Sequence, residues 1–495
     1  MLKVLPTKKN FTENAKQGKI FPVYAELPYM PPQKVYESIK GPYSFLLESI
    51  KGPDKISRFS FAGADPFLTF KVKNGAVEIE SRGKKIVSVT KSPLKDLKSL
   101  LDSYKMEIPE DFPPFPGGAV GLFSYDFVHY FERLPRTAVD DLQIPDAHFL
   151  LVDTLVAFDH KLKKTFIISC PAAGKTGHTS AIMKKDCGSY YEASREKINL
   201  LYEKIAAGNV TVTADPKKNR RIKVRHETGM NDYINIVKRT KEYIKAGDIF
   251  QANLSQRVSA DIRGTDEWEI YKILSKINPS PFAAYLDMGE YRIVSSSPER
   301  LVKFKNNIVS TRPIAGTRPR GANAMADREM RSDLLINEKE RAEHLMLIDL
   351  ERNDLGKISD YGSVEVDELM ITEDYSHVIH IVSNITGRAA KGKNSFDAVR
   401  AAFPGGTITG VPKVRCMEII DELEPVTRGP YTGSLGYIGF TESMDLNIII
   451  RTFVIKNGIA YVQAGAGIVA DSEPVREYHE TLKKAEALIK TLEML

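Results

Sequence analysis

The sequence predicts an α+β fold. Short strand-like runs occupy both halves of the chain, two pairs are joined as antiparallel hairpins by Asn-Gly turns, and amphipathic helical stretches lie between and after them. With 495 residues, two or three domains or one large two-layer body are expected. A hydrophobic content of 42% with 27% charged residues excludes a mostly disordered chain, a collagen-like fibre and a coiled coil. No apolar run reaches the roughly 18 residues of a membrane span. The stretch Met1 to Lys9 lacks the apolar core of a signal peptide. Three widely spaced cysteines, Cys170, Cys187 and Cys416, read as reduced thiols. A cytoplasmic protein without a membrane partner is therefore expected. The formal charge of +6 permits an anionic ligand but does not argue for nucleic acid, and no nucleic-acid partner is expected.

Residues 1–171 form an N-terminal region of short strands. Leu68, Phe70 and Val72 alternate onto one side, Asn74-Gly75 turns, and Val77 and Ile79 return, which predicts a hairpin. Leu150 to Phe158 and Thr165 to Ser169 form another strand pair. Composition changes at Pro171 to Gly177, a helix is predicted near 188–207, and Asp215 to Arg221 is a charged connector, so residues 172–225 are a soft boundary. The basic run at 217–221 is either a solvated loop or a phosphate-binding patch. Residues 226–495 mix both element types. Met230 to Ala246 is helical and ends at Gly247. Leu334 to Leu355 is a longer helix ending at Gly356. Asp445 to Ile455 is a strand, Asn457-Gly458 a turn, and Ile459 to Val469 the returning strand. Val475 to Leu495 carries a continuous apolar stripe, as an amphipathic helix does.

Four groups of residues carry chemistry. Glu340 and Glu343 stand three apart on one predicted helix, and Glu477 and Glu480 on another. Residues at i and i+3 project to one side, so two facing pairs would make an all-oxygen pocket of the kind Mg²⁺ prefers. Such pairs are also commonplace on solvated helix faces. The loop Phe403-Pro404-Gly405-Gly406-Thr407-Ile408-Thr409-Gly410-Val411-Pro412-Lys413 precedes a helix and is either an anion-binding turn or an ordinary one. Arg451 lies in an apolar run, where a guanidinium needs a partner, either an internal acid or a ligand carboxylate. In the returning strand, small residues at every second position, Gly465 and Gly467 among them, alternate onto one face and are expected to clear space for a ligand. His380 within Val378 to Val382 is a core residue or a catalyst, and Glu299 beside Arg300 is a loop carboxylate near an arginine or a catalyst.

Five motifs stand in a fixed order: Pro313 to Gly321, Glu343 to Gly356, the glycine loop, Gln463 to Gly467, and Glu477 to Ala485. Together they resemble the chorismate-utilising enzymes, and within that family the anthranilate synthase component I group. The resemblance implies two large antiparallel β-sheets packed as a sandwich with peripheral helices, residues 226–495 forming the chorismate-binding part. It implies Mg²⁺ held directly by Glu343 and Glu480, and directly or through water by Glu340 and Glu477. Arg451 and Tyr431 would grip the enolpyruvyl carboxylate, with Gly316, Thr317, Thr407, Gly465 and Gly467 lining the site. Glu299 would protonate the leaving C4 hydroxyl, and His380 would serve pyruvate elimination.

Two positions discriminate between branches of the family. Gln251 stands where relatives that add water carry a lysine. Ala315 stands where many aminodeoxychorismate synthases carry a lysine. Both favour anthranilate formation. The alternatives are aminodeoxychorismate synthase component I and, from a different class, a non-catalytic anion-binding protein. Leu47, Glu48, Ser49 and Ser60 resemble the family's tryptophan feedback motif, completed by Pro281, Phe282, Ala283, Leu435, Gly436 and Tyr437. Phe282-Ala283 departs there from the family's Tyr-Met. No cysteine resembles a glutaminase nucleophile, so ammonia would come from a glutamine amidotransferase subunit (component II) in a hetero-oligomer.

Overall fold

The computed structural model describes residues 2–53, 55–171, 179–208, 222–374 and 378–495. The composition change at 172–177 and the basic run at 217–221 lie outside the described residues. Among the described residues, thirteen strands form one sheet and twelve the other. The two sheets share an apolar interior, in which Phe61 of the first meets Tyr437 of the second edge-on at 5.5 Å.

Early and late strands interleave in both sheets. Ser44–Glu48 pairs antiparallel with Phe282–Asp287 in the thirteen-stranded sheet, and Gly118–Phe123 pairs antiparallel with Ser434–Gly439 in the twelve-stranded one. The predicted hairpin is present as Leu68–Lys73 and Ala76–Ser81, with Asn74 and Gly75 both at positive φ. The helix Met230–Ala246 ends at Gly247 in the left-handed region, whose amide bonds back to Ile244.

Three long runs read as single elements are divided. Leu150 to Phe158 comprises the end of Ala147–Val152 in one sheet and the start of Thr154–Asp159 in the other. Asp445 to Ile455 likewise divides into Met444–Ile448 and Thr452–Lys456, in different sheets. Both faces of these strands are buried, so periodicity alone cannot mark where the chain changes sheets. Leu334 to Leu355 breaks at Asn337, whose side chain accepts from the Glu340 amide and starts the helix Glu338–Gly356.

That helix packs on the strands Ile314–Pro319 and Val378–Arg388. The last helix, Pro474–Glu493, packs on the strand Ile459–Ile468 and on the helix Met230–Ala246. It buries Tyr478, Ala485, Leu488 and Leu492 of the predicted stripe. Each helix thus brings one glutamate pair to the edge of the sheets.

Candidate active site and a second cavity

Glu299 and Arg451 sit where two neighbouring segments cross between sheets. Tyr291–Ser297 belongs to the thirteen-stranded sheet and Arg300–Lys305 to the other, with Glu299 between them. Arg451 lies in the corresponding gap of its own segment. The crossings are tied side by side. The Ile448 amide donates to Glu299 O at 3.0 Å, and the Ser296 amide donates to Arg451 O at 3.1 Å. Ser297 Oγ donates to Ile448 O at 2.6 Å. Arg451 has a φ of 50°, a left-handed conformation that costs a non-glycine residue roughly 1–2 kcal/mol and persists where the surroundings demand it.

Burial pushes the Glu299 carboxyl up to about 7, opposed by Thr407, the Ile314 amide and the Arg451 charge. Glu299 is therefore a neutral acid below that pH. Behind it, Thr311 Oγ lies 2.9 Å from Leu301 O and 2.6 Å from Glu351 Oε2. Thr311 Oγ1 is the donor in both contacts, and its bond to Glu351 opposes the effect of burial on that carboxyl. Burial likewise drives Glu351 well above the carboxylate range, with the Glu299 charge adding.

His380 occupies the middle of a strand, opposite Thr317 on one side and Glu373 on the other. Its Nδ1 is 2.9 Å from Gly316 O, an acceptor, so Nδ1 carries the proton and Nε2 presents the lone pair. Burial first, and then the Arg451 charge, lower its pKa to about 4, and the ring is neutral at physiological pH. Gly316 forms a bulge between Ala315 and Thr317 at φ 62°. A Cβ there would stand 2.8 Å from Glu340 Oε2, so only glycine lets this strand approach the helix that closely.

The glycine loop fills the space between the 338–356 helix and the strand Gln251–Asp261. A Cβ at Gly406 would stand 1.9 Å from Leu350 Cδ2, and one at Gly410 2.1 Å from Gln251 O. The space that Gly465 and Gly467 clear is used by the chain's own polar side chains. A Cβ at Gly465 would meet Asn253 Oδ1 at 2.5 Å and Tyr431 Oη at 2.8 Å, and one at Gly467 would meet Gln251 Nε2 at 2.2 Å. Gln251 Oε1 and Asn253 Oδ1 are buried without a hydrogen-bond partner, while Thr407 faces the Glu299 carboxyl. Buried polar atoms left unsatisfied are costly, and a polar ligand relieves that cost.

The four predicted metal ligands share one electrostatic neighbourhood. Burial raises the Glu343 carboxyl, Lys339 opposes this, and the charges of Glu340, Glu480 and Glu477 add to it. Glu477 is raised by burial, with Ser472 opposing and Glu480 adding. Among the described residues no three potential ligands are gathered closely enough to hold an ion as they stand. Arg318 Nη1 lies 3.0 Å from Glu340, and Lys484 Nζ 2.9 Å from Glu480. The donor set fits a hard divalent cation, which would take the place of these side-chain cations.

The predicted effector residues surround a separate cavity of about 510 Å³. One wall carries Leu47, Glu48, Ser49, Pro281, Phe282 and Ala283; the other carries Leu435, Gly436 and Tyr437. Burial raises the Glu48 carboxyl; it accepts from Tyr271 Oη at 2.6 Å and Gln33 Nε2 at 3.0 Å. Ser60 is not part of the lining. It stands behind Ser49, accepting the Ser49 amide at 3.0 Å.

Sequence reasoning missed Asn253, Glu351, Glu424 and Arg428. Asn253 is two residues from Gln251 on the same strand face, a signal that was available. The others gain meaning only from what the fold packs against them.

With this geometry in place, the chain belongs to the chorismate binding enzymes, whose family model matches residues 43–490. It is 40% identical over 505 residues to anthranilate synthase component 1 of Acetivibrio thermocellus, covering 99% of this chain and 98% of that protein. It is 42% identical over 438 residues to aminodeoxychorismate synthase component 1 of Bacillus subtilis (strain 168), covering 88% and 90%. The crystal structure of anthranilate synthase component I from Streptococcus pneumoniae TIGR4 superposes with a TM-score of 0.75 at 34% identity, covering 94% of this chain and 99% of that one.

Proposed function

We propose that the chain is the synthase component of an anthranilate synthase, converting chorismate and ammonia to anthranilate and pyruvate in tryptophan biosynthesis. The observation that carries this reading is the pair of tied sheet crossings, which set a neutral carboxylic acid, Glu299, beside one guanidinium, Arg451, whose field also reaches the neutral imidazole of His380 on its own strand.

Chorismate carries two carboxylates. Arg451 and Tyr431 grip the enolpyruvyl carboxylate, Thr407 lines the site beside Glu299, and the unsatisfied oxygens of Gln251 and Asn253 accept from substrate donors. Glu343 and Glu480, with Glu340 and Glu477, would hold Mg²⁺, which would supply positive charge to the ring carboxylate. Ammonia adds at C2 as the C4 hydroxyl leaves. Hydroxide is a poor leaving group, and Glu299 donates the proton that lets it depart as water, a contribution of about 10²–10⁴-fold. His380 Nε2 then takes the C2 proton as the C3–O bond breaks and C2=C3 forms; the departing enolpyruvate takes that proton up and becomes pyruvate, and the ring becomes aromatic.

Gln251 cannot act as the base that activates water, and Ala315 supports the anthranilate branch. Ammonia is supplied by a glutamine amidotransferase subunit. In support, burial pushes the Cys416 thiol up to about 12 and Cys170 well above the ordinary thiol range, so neither is a poised nucleophile. Tryptophan occupies the second cavity as a feedback inhibitor. The Bacillus subtilis relative keeps a second reading in play, the folate-branch aminodeoxychorismate synthase. Product identification separates the two. Purified chain with chorismate, Mg²⁺ and ammonium yields fluorescent anthranilate under this reading, and accumulation of 4-amino-4-deoxychorismate overturns it.

A further inference from the structure

Arg428 and Glu424 form a buried ion pair at the back of the candidate site, and neither was singled out by the sequence motifs. Arg428 Nε and Nη2 donate to the two Glu424 oxygens at 2.9 and 2.7 Å. The remaining donors reach three different walls. Nη2 donates to Asn253 O at 2.6 Å, on the strand that carries Gln251 and Asn253. Nη1 donates to Ile408 O at 2.9 Å, in the glycine loop beside Thr407, and to Thr432 Oγ1 at 3.3 Å. The guanidinium also lies between two rings, 5.0 Å from the Tyr125 centroid and 5.6 Å from that of Tyr431. Glu424 extends the tie by accepting the Ser255 amide and hydroxyl, each at 2.8 Å. From the other side, Asp126 accepts the Gly429 amide at 2.8 Å and pins the segment leading to Tyr431.

A guanidinium has five N–H donors, and these five bonds use all of them. Arg428 therefore has no donor left for a substrate: two bonds hold the carbonyls of Asn253 and of Ile408 beside Thr407, one holds the Thr432 hydroxyl beside Tyr431, and two hold Glu424. Stability alone does not explain such a pair, because buried ion pairs are often replaceable by apolar side chains at no cost. We propose that Arg428, oriented by Glu424, is a positioning residue that sets the spacing between the three walls of the chorismate pocket. This rests on the reading of Tyr431, Asn253 and Thr407 as that pocket. Lysine cannot substitute, since three donors on one nitrogen cannot reach carbonyls on two walls and both carboxylate oxygens.

The test is steady-state kinetics of Arg428→Lys with chorismate, Mg²⁺ and ammonium, alongside Glu299→Gln. A merely structural role lowers the folded fraction, so kcat falls and the chorismate KM stays where it was. Positioning moves KM itself. The expected result is a chorismate KM at least tenfold higher for Arg428→Lys, whereas Glu299→Gln loses kcat with KM within about twofold of wild type. An unchanged KM in Arg428→Lys overturns the proposal, whatever happens to kcat. If Arg428→Lys does not fold, the double variant Arg428→Met with Glu424→Met removes both charges together and is read by the same KM criterion. The two failures are distinguishable: wild-type chain that does not consume chorismate sinks the functional reading and this inference with it, while normal wild-type turnover with unmoved KM sinks the inference alone.

Discussion

Replacing Glu299 by glutamine, an uncharged side chain of nearly the same shape, isolates the consequence of burying an acid at a sheet crossing. The Glu299 carboxyl is pushed from 4.5 to about 7, with burial as the largest cause. In the unfolded chain it ionises near 4.5, while the folded protein keeps the proton until about 7. Its contribution to stability is thus complete below the lower value and disappears as pH rises to the upper one. At about 1.4 kcal/mol per pH unit, the interval is worth about 3 kcal/mol. Glutamine has no such dependence. The stability of Glu299→Gln relative to wild type should therefore improve by about 3 kcal/mol between pH 4.5 and 8. Parallel urea titrations of the two proteins across that range measure it. Asp126, also raised to about 7, is common to both proteins and cancels in the difference. The kinetic counterpart is a wild-type kcat that falls above pH 7 when free ammonia is held constant, with Glu299→Gln slower by about 10²–10⁴-fold. A stability difference that does not change with pH, or a rate profile flat from pH 6 to 9, refutes the assignment of Glu299 as a neutral acid.

Three further outcomes are expected. His380→Ala should retain amination and impair pyruvate release, so an aminated intermediate accumulates by mass spectrometry; equal loss of both steps contradicts the assigned role. Glu343→Gln should abolish Mg²⁺-dependent chorismate turnover, and a Mg²⁺ titration that matches wild type would remove that residue from the metal site. Glu48→Gln should raise the tryptophan concentration for half-inhibition at least tenfold without changing the chorismate KM, because Glu48 lines the second cavity and is separate from the Glu299 cluster.

The α+β class and the hairpins were legible because alternation and turn residues leave local marks, whereas the two-sheet architecture followed only from the family resemblance of the ordered motifs. The sheet crossings were not. Asp445 to Ile455 reads as one strand, since residues on either side of Arg451 are equally buried whichever sheet receives them. The positive φ of Arg451 has no sequence signature in an Ile-Ile-Arg-Thr run. Gly465 and Gly467 were expected to clear space for a ligand, and the atoms that a Cβ there would meet belong to Tyr431, Asn253 and Gln251, which the strand pattern could not show. Arg428 was invisible for a different reason. Its importance lies in five bonds to backbone and side-chain atoms scattered from Asn253 to Thr432. Nine of the ten residues expected around the effector cavity line it, and Ser60 instead buttresses Ser49 from behind.

Ser44–Glu48 leaves the ribosome long before its partner strand Phe282–Asp287, and Gly118–Phe123 long before Ser434–Gly439. During most of translation each therefore presents a bare edge to whatever β-structure lies nearby, including other nascent copies. Chains truncated ahead of residue 434 lack the strand that closes the second edge, and are headed for aggregation or chaperone capture rather than partial activity. Shortening the gene to obtain a working fragment is thus a poor strategy for this protein, whereas slowing its synthesis or supplying a holdase suits the way its sheets are assembled.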